Sequence, residues 1–225
     1  MPSIKPGSIV AGGWRYRLTK TDLLWAARMV EGETLRREGR ADDARAVLWS
    51  MTALFTPQGQ RAKYGRRRFA DFSTQIRAYS QPINPRWLAT GQFCRPGGRW
   101  HGTAACSEAR LRARERLQRT PWNELDPELR RVVIAWATGK TRNPVPKAIE
   151  FAAHNVAMSF IGRHPGSVRV ARIHNTFIAT AASLGWTSLP TIEAHTEATA
   201  APVIAAAVAA AAVGGLGAWA WSRRT

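Results

Sequence analysis

The chain has 225 residues, 45% of them hydrophobic, enough for one substantial core or for a core with an appendage. Its 33 Lys and Arg against 15 Asp and Glu leave a net charge of +18, which points to a polyanionic partner: nucleic acid, anionic lipid or an anionic wall polymer. The two cysteines, Cys94 and Cys106, have only His101 between them, so a zinc cluster is not expected; they either close a short disulfide loop or stay as two reduced thiols.

In chain order, "MPSIKPGSIVAGGWRYR" lacks the apolar core and cleavage site of a signal peptide, so ordinary Sec export is not expected. "TKTDLLWAARMVEGE" predicts a helix capped by Thr19 or Thr21, with Leu23, Leu24, Ala27, Met29 and Val30 as apolar positions and an end near Glu31 to Glu33. Two acids at that end are unexpected, because the C-terminal carbonyls of a helix disfavour carboxylates. After Gly39, "RADDARAVLWSMTALF" predicts a second, antiparallel helix with Asp42 and Asp43 in its first turn, where acids are favoured. Residues 56–92 are rich in Gly, Pro, Arg and aromatics, and Pro82 and Pro85 in "SQPINP" predict a turn or extended chain. "SEARLRARERLQRTPW" and "DPELRRVVIAWATG" predict two more helices, the latter capped by Asp126 and stopped by Gly139. "ARIHNTFIAT" reads as a short strand.

These elements predict a mainly α (α+β) globular domain over residues 1–186, followed by a polar linker over 187–200. Residues 201–222, "APVIAAAVAAAAVGGLGAWAWS", carry no charge; Trp219 and Trp221 stand at the far end, and Arg223 and Arg224 follow immediately. Length and interfacial anchors predict a transmembrane helix, hence a membrane-anchored protein.

Most carboxylates have local explanations. Asp22, Asp42, Asp43, Glu124, Asp126 and Glu128 sit at helix starts, Glu108 and Glu115 lie on an Arg-rich helix, and Glu193 and Glu197 fall in the linker. Glu31, Glu33, Glu38, Asp71 and Glu150 remain, without a matched pair of the kind a two-carboxylate glycosidase requires. One glutamate suffices when the substrate supplies its own nucleophile, as the muramic acid 6-hydroxyl does. Such a glutamate needs a raised pKa, which apolar neighbours such as Trp25, Met29 and Val30 would provide; Glu33 suits the role.

"LLWAARMVEGETLRREGRADDARAVLW" resembles the opening motif of the SleB-type cell-wall hydrolases, the spore-cortex-lytic enzymes and their phage relatives. "YSQPINPRW", "CRPGGRWHGTAAC", "WATGKTRNPVPKAIEFAA" and "HNTFIAT" resemble blocks of phage-borne members, so the likeness spans about residues 23–180. The resemblance implies a lysozyme-like domain cleaving between N-acetylmuramic acid and N-acetylglucosamine, as a lytic transglycosylase encoded by a phage and used at entry or lysis. It places the catalytic acid at Glu33, with Glu31 a solvated neighbour. The basic stretch before "YSQP" and the missing wall-binding repeat depart from the spore enzymes.

Among further candidates, Ser80, Gln81 and Asn84 have side chains suited to sugar hydroxyls or acetamido groups, Tyr79 and Trp87 to stacking on a sugar face, and Asn143 to lining the cleft or making a turn. Isolated His101, His154 and His174 are expected to be structural. The expected partners are peptidoglycan and, through 201–222, a membrane, with no specific nucleic acid because no reading module accompanies the basic runs. The chemistry requires no cofactor and no metal. The rival readings are a non-catalytic structural or wall-binding virion protein and a membrane-anchored nucleic-acid-binding protein.

Overall fold

Gly12 and Gly13 are the first residues to shape the chain. With φ of 52° and 81° they form a two-residue hairpin turn between β1 (Ser8–Ala11) and β2 (Trp14–Arg17), a backbone that a Cβ would strain. The computed structural model describes residues 4–34 and 38–196, and one compact unit ends at His195.

Thr19 opens α1 (Lys20–Glu33) with a capping box. Its Oγ1 accepts from Asp22 N at 3.1 Å, and Asp22 Oδ2 accepts from Thr19 N at 2.8 Å. Asp22 also accepts from Tyr16 Oη at 3.0 Å and Ser73 N at 2.8 Å, tying the hairpin and a later helix to this cap. The next helix, α2 (Arg40–Phe55), is buried at every residue from 46 to 55, the signature of a helix enclosed by others. Around it pack α1, α3 (Pro57–Tyr64), α4 (Phe72–Tyr79) and a later helix, α6 (Pro127–Ala137). Two 3₁₀ turns, Gln81–Ile83 and Pro85–Trp87, follow α4, so "SQPINP" avoids regular α-helix as its prolines require. Cys94 and Cys106 are joined by a disulfide that closes the loop before α5 (Glu108–Arg119).

Asp126 caps α6 (Pro127–Ala137), its Oδ1 accepting from Glu128 N at 2.9 Å and Leu129 N at 3.2 Å. Trp136 of α6 is fully buried, its ring 5.5 Å from Phe72 and its Nε1 donating to Thr52 Oγ1 at 3.1 Å. β3 (Glu150–Ala152), α7 (His154–Arg163), β4 (Val168–Arg172), β5 (Thr176–Ala179) and α8 (Ala181–Leu184) complete the order before the last strand. The first sheet runs β3-β5-β4, all antiparallel, and its central strand is buried at all four residues. β6 (Thr191–Glu193) pairs with β1 in a second sheet of order β2-β1-β6, which sets buried Ile192 opposite buried Ile9.

The architecture is therefore α+β, with eight α-helices and two three-stranded sheets among the described residues. The domain runs past the boundary expected at 186, because Thr191–Glu193 is a strand within the segment read as linker. The expectation of a C-terminal transmembrane helix is corrected: among the described residues no helix is long and apolar enough to cross a membrane. Residues 201–222 lie outside the described residues. The membrane-anchored localisation is corrected with it.

Candidate active site

Glu33 is the last residue of α1, where the helix carbonyls oppose negative charge. Ser80 ends α4, and its Oγ donates to Glu33 Oε1 at 2.7 Å. The backbone N–H of Gln81 donates to the same carboxylate. Gly32 permits this meeting. A Cβ there would lie 2.4 Å from Pro82 Cβ and 2.8 Å from Leu117 Cδ2, so only glycine lets the helix backbone touch the turn that carries Ser80.

Burial pushes the Glu33 carboxyl up to about 7, aided by the negative charge of Asp43 and opposed by the bonds from Ser80 and Gln81. Asp43 is fully buried in the first turn of α2. Asn175, in the turn between β4 and β5, holds it with its N–H at 3.0 Å and its Nδ2 at 2.9 Å. The same Nδ2 lies 3.3 Å from the carbonyl oxygen of Glu33, so one side chain ties α1, α2 and the hairpin together. Burial also raises the Asp43 carboxyl, against the bonds from Asn175. A carboxyl half-protonated near neutral pH can both give and take a proton, the property a single acid–base residue requires.

The other predicted site residues divide. Ser80 and the backbone of Gln81 meet Glu33, although Ser80 Oγ spends its proton on the carboxylate. Tyr79 donates its hydroxyl to Glu150 Oε2 at 2.6 Å and sets its ring 5.6 Å from Phe151. Asn84 is satisfied by nearby backbone, Nδ2 donating to Ala78 O of α4 at 2.8 Å and Oδ1 accepting from Arg86 N at 2.9 Å. Trp87 lies apart, 5.0 Å from Phe93 and 6.0 Å from Trp100 beside the disulfide loop. Asn143 makes a turn, its Oδ1 accepting from Val145 N at 2.9 Å.

Three expectations about neighbours change. Glu31 is no solvated bystander: its Oε2 accepts from Asp126 N at 3.1 Å, and its Oε1 is 3.7 Å from Arg40 Nη2. Trp25, eight residues before Glu33 and so about 12 Å away along the helix, is flanked by the guanidinium groups of Arg28 at 4.6 Å and Arg77 at 4.3 Å. Asp43 and Asn175 were not expected at the site at all. Asp43 has the sequence signature of a helix-start acid, and Asn175 belongs to a turn with no local chemical pattern.

Two clefts reach the chain neighbours of the Glu33–Ser80 pair. One, of about 500 Å³, is lined by Glu31, Gly32, Arg116 and Leu117 among others. The other, of about 530 Å³, includes Tyr79 and Asn84. Among the described residues, no group of three His, Cys, Asp or Glu is placed to hold a metal ion. The chain matches no family model, no curated protein and no solved structure, so its likeness to the SleB-type hydrolases rests on the quoted motifs alone.

Proposed function

We propose that the chain is a peptidoglycan lytic transglycosylase that cleaves the bond between N-acetylmuramic acid and N-acetylglucosamine, with Glu33 as its acid and base. The observation that carries this reading is the Glu33 carboxyl itself, pushed up to about 7 and gripped by Ser80 at the end of α1. Protonated Glu33 donates its proton to the glycosidic oxygen as that bond to the muramoyl C1 breaks. The resulting carboxylate then takes the proton of the muramoyl 6-hydroxyl, whose oxygen closes on C1 to give a 1,6-anhydro end. Glu33 finishes protonated and ready for another cycle. Asp43 favours the protonated form by its charge, while Ser80 and Gln81 fix the direction in which the carboxyl points. The phage setting and the role at entry or lysis come from the sequence resemblance.

The full chain incubated with purified peptidoglycan is expected to release soluble fragments, and Glu33→Gln to abolish release while leaving the far-ultraviolet circular dichroism unchanged. Release that persists in Glu33→Gln would remove Glu33 from the chemistry.

A further inference from the structure

The cleft of about 530 Å³ beside Tyr79 has a composition that the acid–base chemistry of Glu33 does not use. Its walls carry four cations, Lys63, Arg68, Arg77 and Arg86, and no carboxylate. Lys63 is neutralised by Glu150, which stands behind it. The three arginines form no ion pair with a carboxylate among the described residues. Between the cations lie flat apolar surfaces. The Arg68 guanidinium is 5.3 Å from the ring centroids of both Tyr64 and Phe69, and Tyr79 closes the adjoining wall.

Planar guanidinium groups suit bidentate acceptors, and the rings suit a ligand with an apolar body next to its charge. Tyr79 in the wall of this cleft is the chain neighbour of Ser80, the residue bonded to Glu33. We infer that this cleft binds a carboxylate-bearing appendage of the substrate, the peptide that hangs from the muramoyl lactyl group, and so selects glycan strands that still carry their peptides. This inference rests on the peptidoglycan reading above and adds to it a specificity site.

The test uses the full chain carrying Glu33→Gln, so that the wall stays intact, in co-sedimentation with insoluble sacculi. Three preparations are compared: untreated, carbodiimide-amidated to neutralise carboxylates, and stripped of phosphate polymers by acid. Amidation is expected to weaken binding about tenfold, a loss typical of one or two charge-assisted hydrogen bonds. Arg68→Gln with Arg86→Gln is expected to reproduce that loss on untreated sacculi and to add nothing on amidated ones. Arg110→Gln with Arg119→Gln removes the same charge from the exposed face of α5 and is expected to cost less than twofold. Equal losses from the two pairs, binding indifferent to amidation, or loss caused by phosphate removal instead would each overturn the assignment. Fragment release by the chain with Glu33 intact is followed in parallel. Release without carboxylate-dependent binding sinks the cleft alone, whereas carboxylate-dependent binding without release sinks the glycan-cleavage reading and leaves the cleft standing.

Discussion

Replacing Glu33 by Gln changes stability in a way that depends on pH, and the size of the effect follows from the site. The Glu33 carboxyl rises from an ordinary 4.5 to about 7 on folding, chiefly through burial. The folded protein therefore holds more protons than the unfolded chain between those values, and linkage requires stability to fall as pH rises through that window. At 1.36 kcal/mol per pH unit, the full cost of ionising Glu33 in place is about 3 kcal/mol, reached above pH 7 and absent below 4.5. Gln keeps the shape and can accept from Ser80 Oγ, but it never ionises. Glu33→Gln is thus expected to match the parent near pH 4.5 and to exceed it by up to about 3 kcal/mol at pH 8. For a domain of this size that is a gain of roughly 6–12 °C in Tm. Thermal unfolding of both proteins from pH 4 to 8.5, followed by circular dichroism, reads the difference directly. Asp43 titrates in the same direction in both, so the difference between the curves isolates Glu33 to first order. Parallel curves across the range would show that Glu33 is ordinary in the folded state and would remove the electrostatic basis of the proposed chemistry.

Three other perturbations act on the same constellation. Ser80→Ala removes a bond that favours the charged carboxylate, so the Glu33 pKa is expected to climb by roughly half to one pH unit; carbon-13 titration of the Glu33 carboxyl checks this, and a fall contradicts it. Gly32→Ala drives a Cβ into Pro82 and Leu117 and is expected to cost about 1–3 kcal/mol in denaturant unfolding. It is also expected to loosen the Ser80 contact, so an unchanged Glu33 titration would count against the role given to this glycine. Asn175→Ala withdraws a donor from the fully buried Asp43 and is expected to cost about 1–3 kcal/mol, more at pH 8 than at pH 5, because that donor favours the charged form. A cost that shrinks as pH rises would contradict that sign.

Features that depend on neighbouring residues were legible in the sequence. The cap expected at Thr19 or Thr21, the Asp126–Pro127 helix start and the end of α1 expected near Glu31 to Glu33 are set by contacts within one helical turn, and they fall at Thr19, Asp126 and Glu33. What escaped is held by distant partners. Asn175 reaches the Glu33 carbonyl across 142 positions, and Glu31 receives the Asp126 N–H across 95. Neither contact leaves a mark on the local pattern, which is why Glu31 looked solvated and Asp43 looked like a dipole acid. β6 is three residues long with one inward side chain, too short for periodicity to register, and its pairing with β1 is made across most of the chain. Tyr79 and Asn84 were singled out by residue type, and the structure gives their polar atoms partners inside the protein instead.

The central claim is that Glu33 alone serves as acid and base while the substrate attacks itself. Mass spectrometry of the muropeptides released from purified peptidoglycan tests it most directly. The expected products carry 1,6-anhydromuramoyl ends and are absent with Glu33→Gln. Reducing ends would mean that water is the nucleophile, and products that survive the substitution would mean that the acid lies elsewhere.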